Sequence, residues 1–285
     1  MVTNPAARDA WRRWVSYLVS RYGAFPNVMF QMGNEPPGDG CRLGGARWGE
    51  FDTFTSKTVK STAVYDVLYS SGAPVGGGVH QGDYNTYHPT TPGYSAAKFY
   101  SPTKGKPHHN EEIKAYSGGG DVTPWTNGAR YVKFASFVAG GHASALVMWT
   151  ADVMMVEYKK SSISLHNFVR PVLGDLFSLK VDDAFIVESP AEFCKGLASE
   201  EHFMLYMQKG RGRAKGANAP LGAQLVLKVP NGDARVYWFD PVAGRYAPPK
   251  TITVTDGILR LDPPEFTDDC ALRISLVPPA TPKKR

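Results

Sequence analysis

The chain has 285 residues, 42% of them apolar and 20% charged, with a net charge of +6. That length supports one large or two modest domains with a sizeable core, and no apolar run is long enough for a membrane-spanning helix. The positive excess gathers at 209–215 and at Lys283-Lys284-Arg285 without any nucleic-acid motif, so it reads as solvated loops and a tail. Neither nucleic acid nor a membrane is an expected partner.

Asn4-Pro5-Ala6 starts a helix well, because Asn caps the orphan N–H groups and Pro suits the first turn. Trp11, Trp14, Val15, Leu18 and Val19 recur at helical spacing and are expected to form one core-facing stripe. Tyr22-Gly23 ends that helix. Met1-Val2-Thr3 lacks the basic and apolar regions of a secretory leader. A short apolar run, 28–32, then reads as a buried strand between Pro26-Asn27 and Pro36-Pro37. Proline fixes φ and removes the N–H, so regular structure stops there and Asn34 and Glu35 stand at a strand end. In parallel α/β folds, active sites are built at the C-terminal ends of strands.

The periodicity predicts a long helix over 48–69 and a strand over 74–80. The glycines at 76–78 lack phosphate-loop spacing and read as close backbone packing. Asp83-Tyr84-Asn85-Thr86-Tyr87-His88 looks like a further strand, ending in a histidine. Lys106-Pro107-His108-His109-Asn110-Glu111-Glu112 is another. Strand alternation puts Glu112 on the face of Asn110 and His108, with Glu111 opposite. His108, His109 and a carboxylate also permit a metal reading, but no H-E-x-x-H spacing supports it. A helix over 126–140, with Phe134, Ala135 and Val138 inward, leads to a buried strand over 144–150 that carries Trp149. A closing helix is expected over 164–179.

From about Ala184 the pattern changes. Short apolar strands around 203–207, 224–229, 234–240, 251–254 and 271–276 alternate with Asn231-Gly232 and Asp256-Gly257 turns. That predicts an antiparallel β-sandwich. The expected division is 1–183, 184–279 and a basic tail, 280–285. Cys41, Cys194 and Cys270 have no metal spacing; Cys194 and Cys270 fall in the same region, where they can pair if conditions are oxidising.

Arg21-Tyr22-Gly23-Ala24-Phe25-Pro26-Asn27, followed by Asn34-Glu35-Pro36, resembles the fourth strand of retaining (β/α)8-barrel glycoside hydrolases. The resemblance implies that Glu35 is the general acid/base and that Asn34 binds the sugar 2-hydroxyl. Lys106-Pro107, four residues, then a glutamate resembles strand seven of that clan. It implies Glu112 as nucleophile, with Glu111 the fallback. By the same resemblance, Tyr87 and His88 end strand six, Asn110 lines strand seven, and Trp149 is the strand-eight sugar platform.

Trp238-Phe239-Asp240-Pro241, Pro263-Pro264 and Asp268-Asp269-Cys270 resemble the so-called collagen-binding domain at the C-terminus of apiosidase-like barrel glycosidases. The implied architecture is a partial (β/α)8 TIM barrel, covering strands four to eight, followed by an antiparallel β-sandwich. The implied activity is retaining hydrolysis of a glycosidic bond in a polysaccharide or oligosaccharide, with no metal or organic cofactor. In the resembling family the proteins are secreted or periplasmic. Strands one to three are not found in this sequence, so a fragment, or a barrel completed by a second chain or homo-oligomer, is expected. The competing reading is an inactive barrel remnant that binds carbohydrate or protein.

Overall fold

The computed structural model describes residues 4–25, 28–32, 45–70, 82–83, 85–87, 108–110, 123–143, 152–191, 193–208 and 224–277. They fall into two compact units.

The first unit opens with helix α1 (Pro5–Tyr22). The Asn4 side chain accepts from the Ala7 N–H at 3.2 Å, and Pro5 occupies the first turn, where its missing N–H costs nothing. Val15 and Val19, one turn apart, are buried. Trp14 is 52% exposed, contrary to the expected core role. The buried stripe runs through Trp11, Val15 and Val19, and Trp14 lies at its edge with its ring 5.0 Å from that of Trp11.

Helix α2 (Gly45–Thr62) lies beside α1. The Trp11 indole N–H donates to Thr55 Oγ1 at 3.0 Å, and the Ser16 and Thr62 hydroxyls are 3.0 Å apart. The helix stops at Thr62, short of the expected Tyr69. Lys60 reaches forward to the Val67 carbonyl at 2.7 Å, and Val67 and Tyr69 are buried with Val59 as the chain turns back into a strand. Five strands follow the parallel pattern of α/β folds. Strands β1 (Phe30–Gln31) and β2 (Tyr69–Ser70) pair in parallel, Phe30 opposite Tyr69. Strands β3 (Asn85–Tyr87), β4 (His108–Asn110) and β5 (Gly141–Ala143) form a parallel triplet. Among the described residues these strands form a pair and a triplet, with no closed ring. The expected strands at 74–80 and 144–150 lie outside the described residues.

The second unit begins with helices α3 (Thr123–Val138) and α4 (Asp152–Val169) and a 3-10 turn (Arg170–Asp175). Helix α4 starts earlier than the expected Ser164. In its polar run Ser161 and Ser162 donate back to the Tyr158 carbonyl at 2.8 and 2.9 Å, so these hydroxyls are satisfied within the helix. Gly140, just past α3, has φ of 79°, the left-handed geometry that ends helices, and a Cβ there would lie 2.4 Å from Val181 Cγ2.

Among the described residues, ten antiparallel strands follow: β6 (Lys180–Val181), β7 (Ile186–Glu188), β8 (Phe193–Ala198), β9 (His202–Gln208), β10 (Leu225–Lys228), β11 (Gly232–Asp240), β12 (Arg245–Tyr246), β13 (Lys250–Val254), β14 (Ile258–Leu261) and β15 (Asp269–Leu276). One sheet has the order β12-β11-β15-β9-β8-β6, with β13 also on β11; a smaller one has β14-β10-β7. One core lies between the sheets and includes Phe203, Leu205, Met207, Leu227, Leu259 and Leu272. Another lies between the larger sheet and the helices and includes Phe134, Val138, Phe168, Met204, Tyr206 and Phe239. Strand β9 contributes alternately to both, which is why Phe203-Met204-Leu205-Tyr206-Met207 is apolar throughout. Helices α3 and α4, read from sequence with the first domain, thus share a core with β8, β9, β11 and β15.

The Asn231-Gly232 and Asp256-Gly257 turns are present, with φ of 131° at Gly232 and 74° at Gly257. Both carry the chain from one sheet to the other: β10 to β11, and β13 to β14. Asn231 Oδ1 accepts from the Gly257 N–H at 2.7 Å, tying the two crossovers together.

Cys194 and Cys270 are both free thiols. Each is the register partner of Met207, from opposite sides of β9. Two strand spacings, about 9.5 Å, exceed the ~7 Å limit between Cα atoms for a disulfide. Burial raises both thiol pKa values, to about 11 for Cys194 and about 12 for Cys270.

A buried ion pair fastens α3 to the sheet. Arg130 Nε and one terminal nitrogen each donate to Asp269 at 2.9 Å, and the Tyr206 hydroxyl donates to the same carboxylate at 2.8 Å. Burial opposes the guanidinium charge, but the bonds and charge of Asp269 outweigh it and hold Arg130 above its ordinary pKa. Among the described residues, no helix is long and apolar enough to cross a membrane.

Candidate active site

The parallel strands of the first unit set the geometry. Asn85, His108 and Gly141 form one register row; Thr86, His109 and His142 form the next; Tyr87, Asn110 and Ala143 form the last. Tyr87 and Asn110, both expected site residues, therefore close adjacent parallel strands at the same level. Asn34, Glu35, His88, Glu111, Glu112 and Trp149 lie outside the described residues. His142, brought beside His109 by the register, is a residue that the sequence reading did not place here; its strand starts earlier than the apolar run of 144–150 suggests.

The described residues around β2 show how this end of the unit is held. Asp83 Oδ2 accepts from the Tyr69 N–H at 2.9 Å, and the Asp83 N–H donates to the Tyr69 carbonyl at 2.8 Å. Lys60 Nζ lies 2.7 Å from Asp83 and 3.0 Å from Asp66. Burial works against the Lys60 charge, and the hydrogen bonds and charges of Asp83 and Asp66 overcome it, so its pKa stands above the ordinary lysine value. Beneath, the Tyr69 hydroxyl donates to Asp52 Oδ1 at 2.6 Å in a buried setting. Lys60, Asp83, Tyr69 and Asp52 thus join α2 to β2 and to the segment that leads into β3. No spacing in the sequence announces this set, because its members pair across long separations. Its chemistry is that of a frame: the acids are engaged with a cation, a backbone amide or a phenol.

An acid–base site needs two carboxyl groups on one rim, and a retaining glycosidase separates them by about 5–5.5 Å. A parallel sheet with strand ends in register supplies such a rim. Among the described residues, the backbone register brings the last residues of β3 and β4, Tyr87 and Asn110, to one level.

The sequence matches no protein-family profile and none of the curated proteins. Among solved structures, the chain is similar to a glycoside hydrolase, with a TM-score of 0.62 and 13% identity over 94% of this chain and 69% of the other. It is similar to a glycoside hydrolase of family 5 from Bacteroides vulgatus, with a TM-score of 0.63 and 12% identity over 94% and 67%. A family 30 subfamily 8 xylanase from Clostridium acetobutylicum gives a TM-score of 0.57 and 11% identity over 95% and 73%. At such identities the likeness is one of fold: the chain has a mixed α/β architecture like that of glycoside hydrolases.

Proposed function

We propose that the chain is a glycoside hydrolase acting on a carbohydrate by retaining double displacement, of the apiosidase-like kind. The supporting observation is the parallel register that ends β3 and β4 together at Tyr87 and Asn110, within a fold like that of glycoside hydrolases. Continuing the alternation of β4 by two residues puts Glu112 on the face of Asn110. In this reading Glu112 attacks the anomeric carbon while Glu35 protonates the leaving oxygen, giving a glycosyl-enzyme. Glu35, now a carboxylate, takes a proton from water, whose oxygen displaces Glu112. Its pKa falls when the Glu112 ester forms, because a neighbouring negative charge disappears. Asn34 holds the sugar 2-hydroxyl, Tyr87, His88 and Asn110 line the rim, and Trp149 offers a flat face to the ring. The two antiparallel sheets of the second unit form an accessory β-sandwich.

The test is hydrolysis of a panel of aryl glycosides by the chain beside Glu35→Gln, Glu112→Gln and Glu111→Gln. The expected loss is about 100-fold to 10,000-fold for Glu35→Gln, the usual worth of a general acid. Glu112→Gln is expected to abolish turnover and Glu111→Gln to leave most of it. Glu112→Gly with added azide is expected to regain turnover and yield the glycosyl azide. Full activity in either Glu35→Gln or Glu112→Gln, with the wild type active, sinks the mechanism.

A further inference from the structure

The second unit carries a trough that the proposed hydrolysis does not use. It measures about 1140 Å³ and lies over the C-terminal half of β11, between the β12–β13 segment and the 264–268 stretch. Its lining includes the half-buried rings of Trp238 and Phe266, which both pack toward the core between the sheets; its rim carries Arg245, Lys250 and Glu265. Asp268 and Asp269 close one end of the lining.

The frame of this trough is fixed. Asp269 is held by Arg130 and Tyr206. Asp240 accepts from the Val242 and Ala243 N–H groups at 2.8 and 2.9 Å, which sets the turn before β12. A ligand therefore meets walls already in place, and little ordering opposes binding.

The lining chemistry selects among ligand classes. Cations (Arg245, Lys250) and a carboxylate (Glu265) lie along the same trough, so a polyanion meets the acid and a polycation meets the bases. A neutral polyhydroxylated chain satisfies both, since each hydroxyl donates to a carboxylate and accepts from an ammonium or guanidinium. The rings add flat apolar faces with which the C–H face of a sugar can stack, as large aromatic surfaces with polar neighbours do. The volume exceeds the usual range of about 300–1,000 Å³ for single small-molecule pockets, which favours a segment of several residues.

We infer that this trough is a second carbohydrate site, which holds a segment of a neutral polysaccharide or oligosaccharide against Trp238 and Phe266. The inference deepens the glycosidase reading by giving the accessory unit the same substrate class, and it rests on that reading for the choice of polymer.

The experiment measures binding of the full chain to soluble neutral β-glucan, xylan and galactomannan by affinity electrophoresis and calorimetry, with polygalacturonate and heparin as anionic probes. Binding of at least one neutral polymer is expected, weakened by at least about tenfold in Lys250→Ala/Glu265→Ala, which removes two charge-assisted hydrogen bonds. Trp238→Leu is expected to weaken it further, with circular dichroism confirming that it folds. Glu35→Gln/Glu112→Gln is expected to bind as the wild type does, which separates this site from the catalytic rim. Turnover of a small aryl glycoside is expected to be unchanged in Lys250→Ala/Glu265→Ala. No binding to any neutral polymer, binding only to the anionic ones, or binding untouched in Lys250→Ala/Glu265→Ala and Trp238→Leu overturns the inference. Binding without hydrolysis of any aryl glycoside leaves this site standing and removes the hydrolase reading instead.

Discussion

The two units bury their chains by different means. In the first, strands of two or three residues stand over a small core of Val15, Val19, Val59, Val67 and Tyr69, and much of the cohesion is polar: Lys60 with Asp83 and Asp66, and Tyr69 with Asp52. In the second, strands up to nine residues long are packed on two faces, and the rings of Phe134, Phe168, Tyr206 and Phe239 lie within about 5–6 Å of one another. Apolar burial scales with area, whereas each hydrogen bond adds little net stability because water competes for it. Among the described residues, the unit that carries the proposed chemistry thus shows the smaller apolar core and the larger share of polar ties.

The largest effect that tests this contrast is expected from Arg130→Ala. It leaves the Asp269 carboxylate buried without its cation, at a cost of about 3–5 kcal/mol. Urea unfolding followed by hydrogen exchange at the Leu205 and Leu272 amides should report it; a loss below 1 kcal/mol would mean that the aromatic core alone fixes α3. A smaller change is expected from Tyr69→Phe, which removes the bond to Asp52. It should cost about 1.5–3 kcal/mol, as bonds to charged groups do, and should accelerate exchange at the Phe30 and Tyr69 amides while Leu205 is unaffected. Equal acceleration in both units would show that they unfold as one.

A pH-dependent effect concerns Lys133, whose ammonium is buried at the α3–α4 seam, 3.4 Å from the Tyr158 ring centroid and 3.3 Å from the Tyr158 carbonyl. Burial lowers its pKa from 10.5 to about 8. Between those values the unfolded chain binds the proton and the folded one releases it, so stability rises with pH. Below about pH 8 the folded state bears the cost of the buried charge. Relative to Lys133→Met, the wild type should gain stability between pH 8 and 10; a flat difference across that range refutes the shift.

How much of this was legible depends on where the information lies. Helix α1 was plain because its cap, its proline and its apolar spacing are local. Strand β9 was plain because burial on both faces leaves an unbroken apolar run. Strand β2 is not legible, since Val67-Leu68-Tyr69 continues a helical period although the helix ends at Thr62. Strand β8 was missed because Cys194, Lys195 and Gly196 break the alternation; Gly196 is there to admit Phe185, whose Cζ would lie 2.5 Å from a Cβ. Whether Cys194 pairs with Cys270, left open by the sequence, is decided by a register that no spacing in the chain reveals. In the proposed site, Tyr87 and Asn110 were readable as strand ends, whereas His142 and the Lys60–Asp83 frame depend on partners far along the chain.

The order of strands in the larger sheet bears on how the protein is made. Strand β15, the last of them to leave the ribosome, sits between β11 and β9 near the middle of the sheet. Until residues 269–276 emerge, β9 and β11 each present an unpaired edge, and Arg130 on α3 waits for Asp269. Such long-range closure is slow and leaves sticky edges exposed. A stop codon placed before β15 would therefore leave both edges unpaired and remove the keystone of the unit.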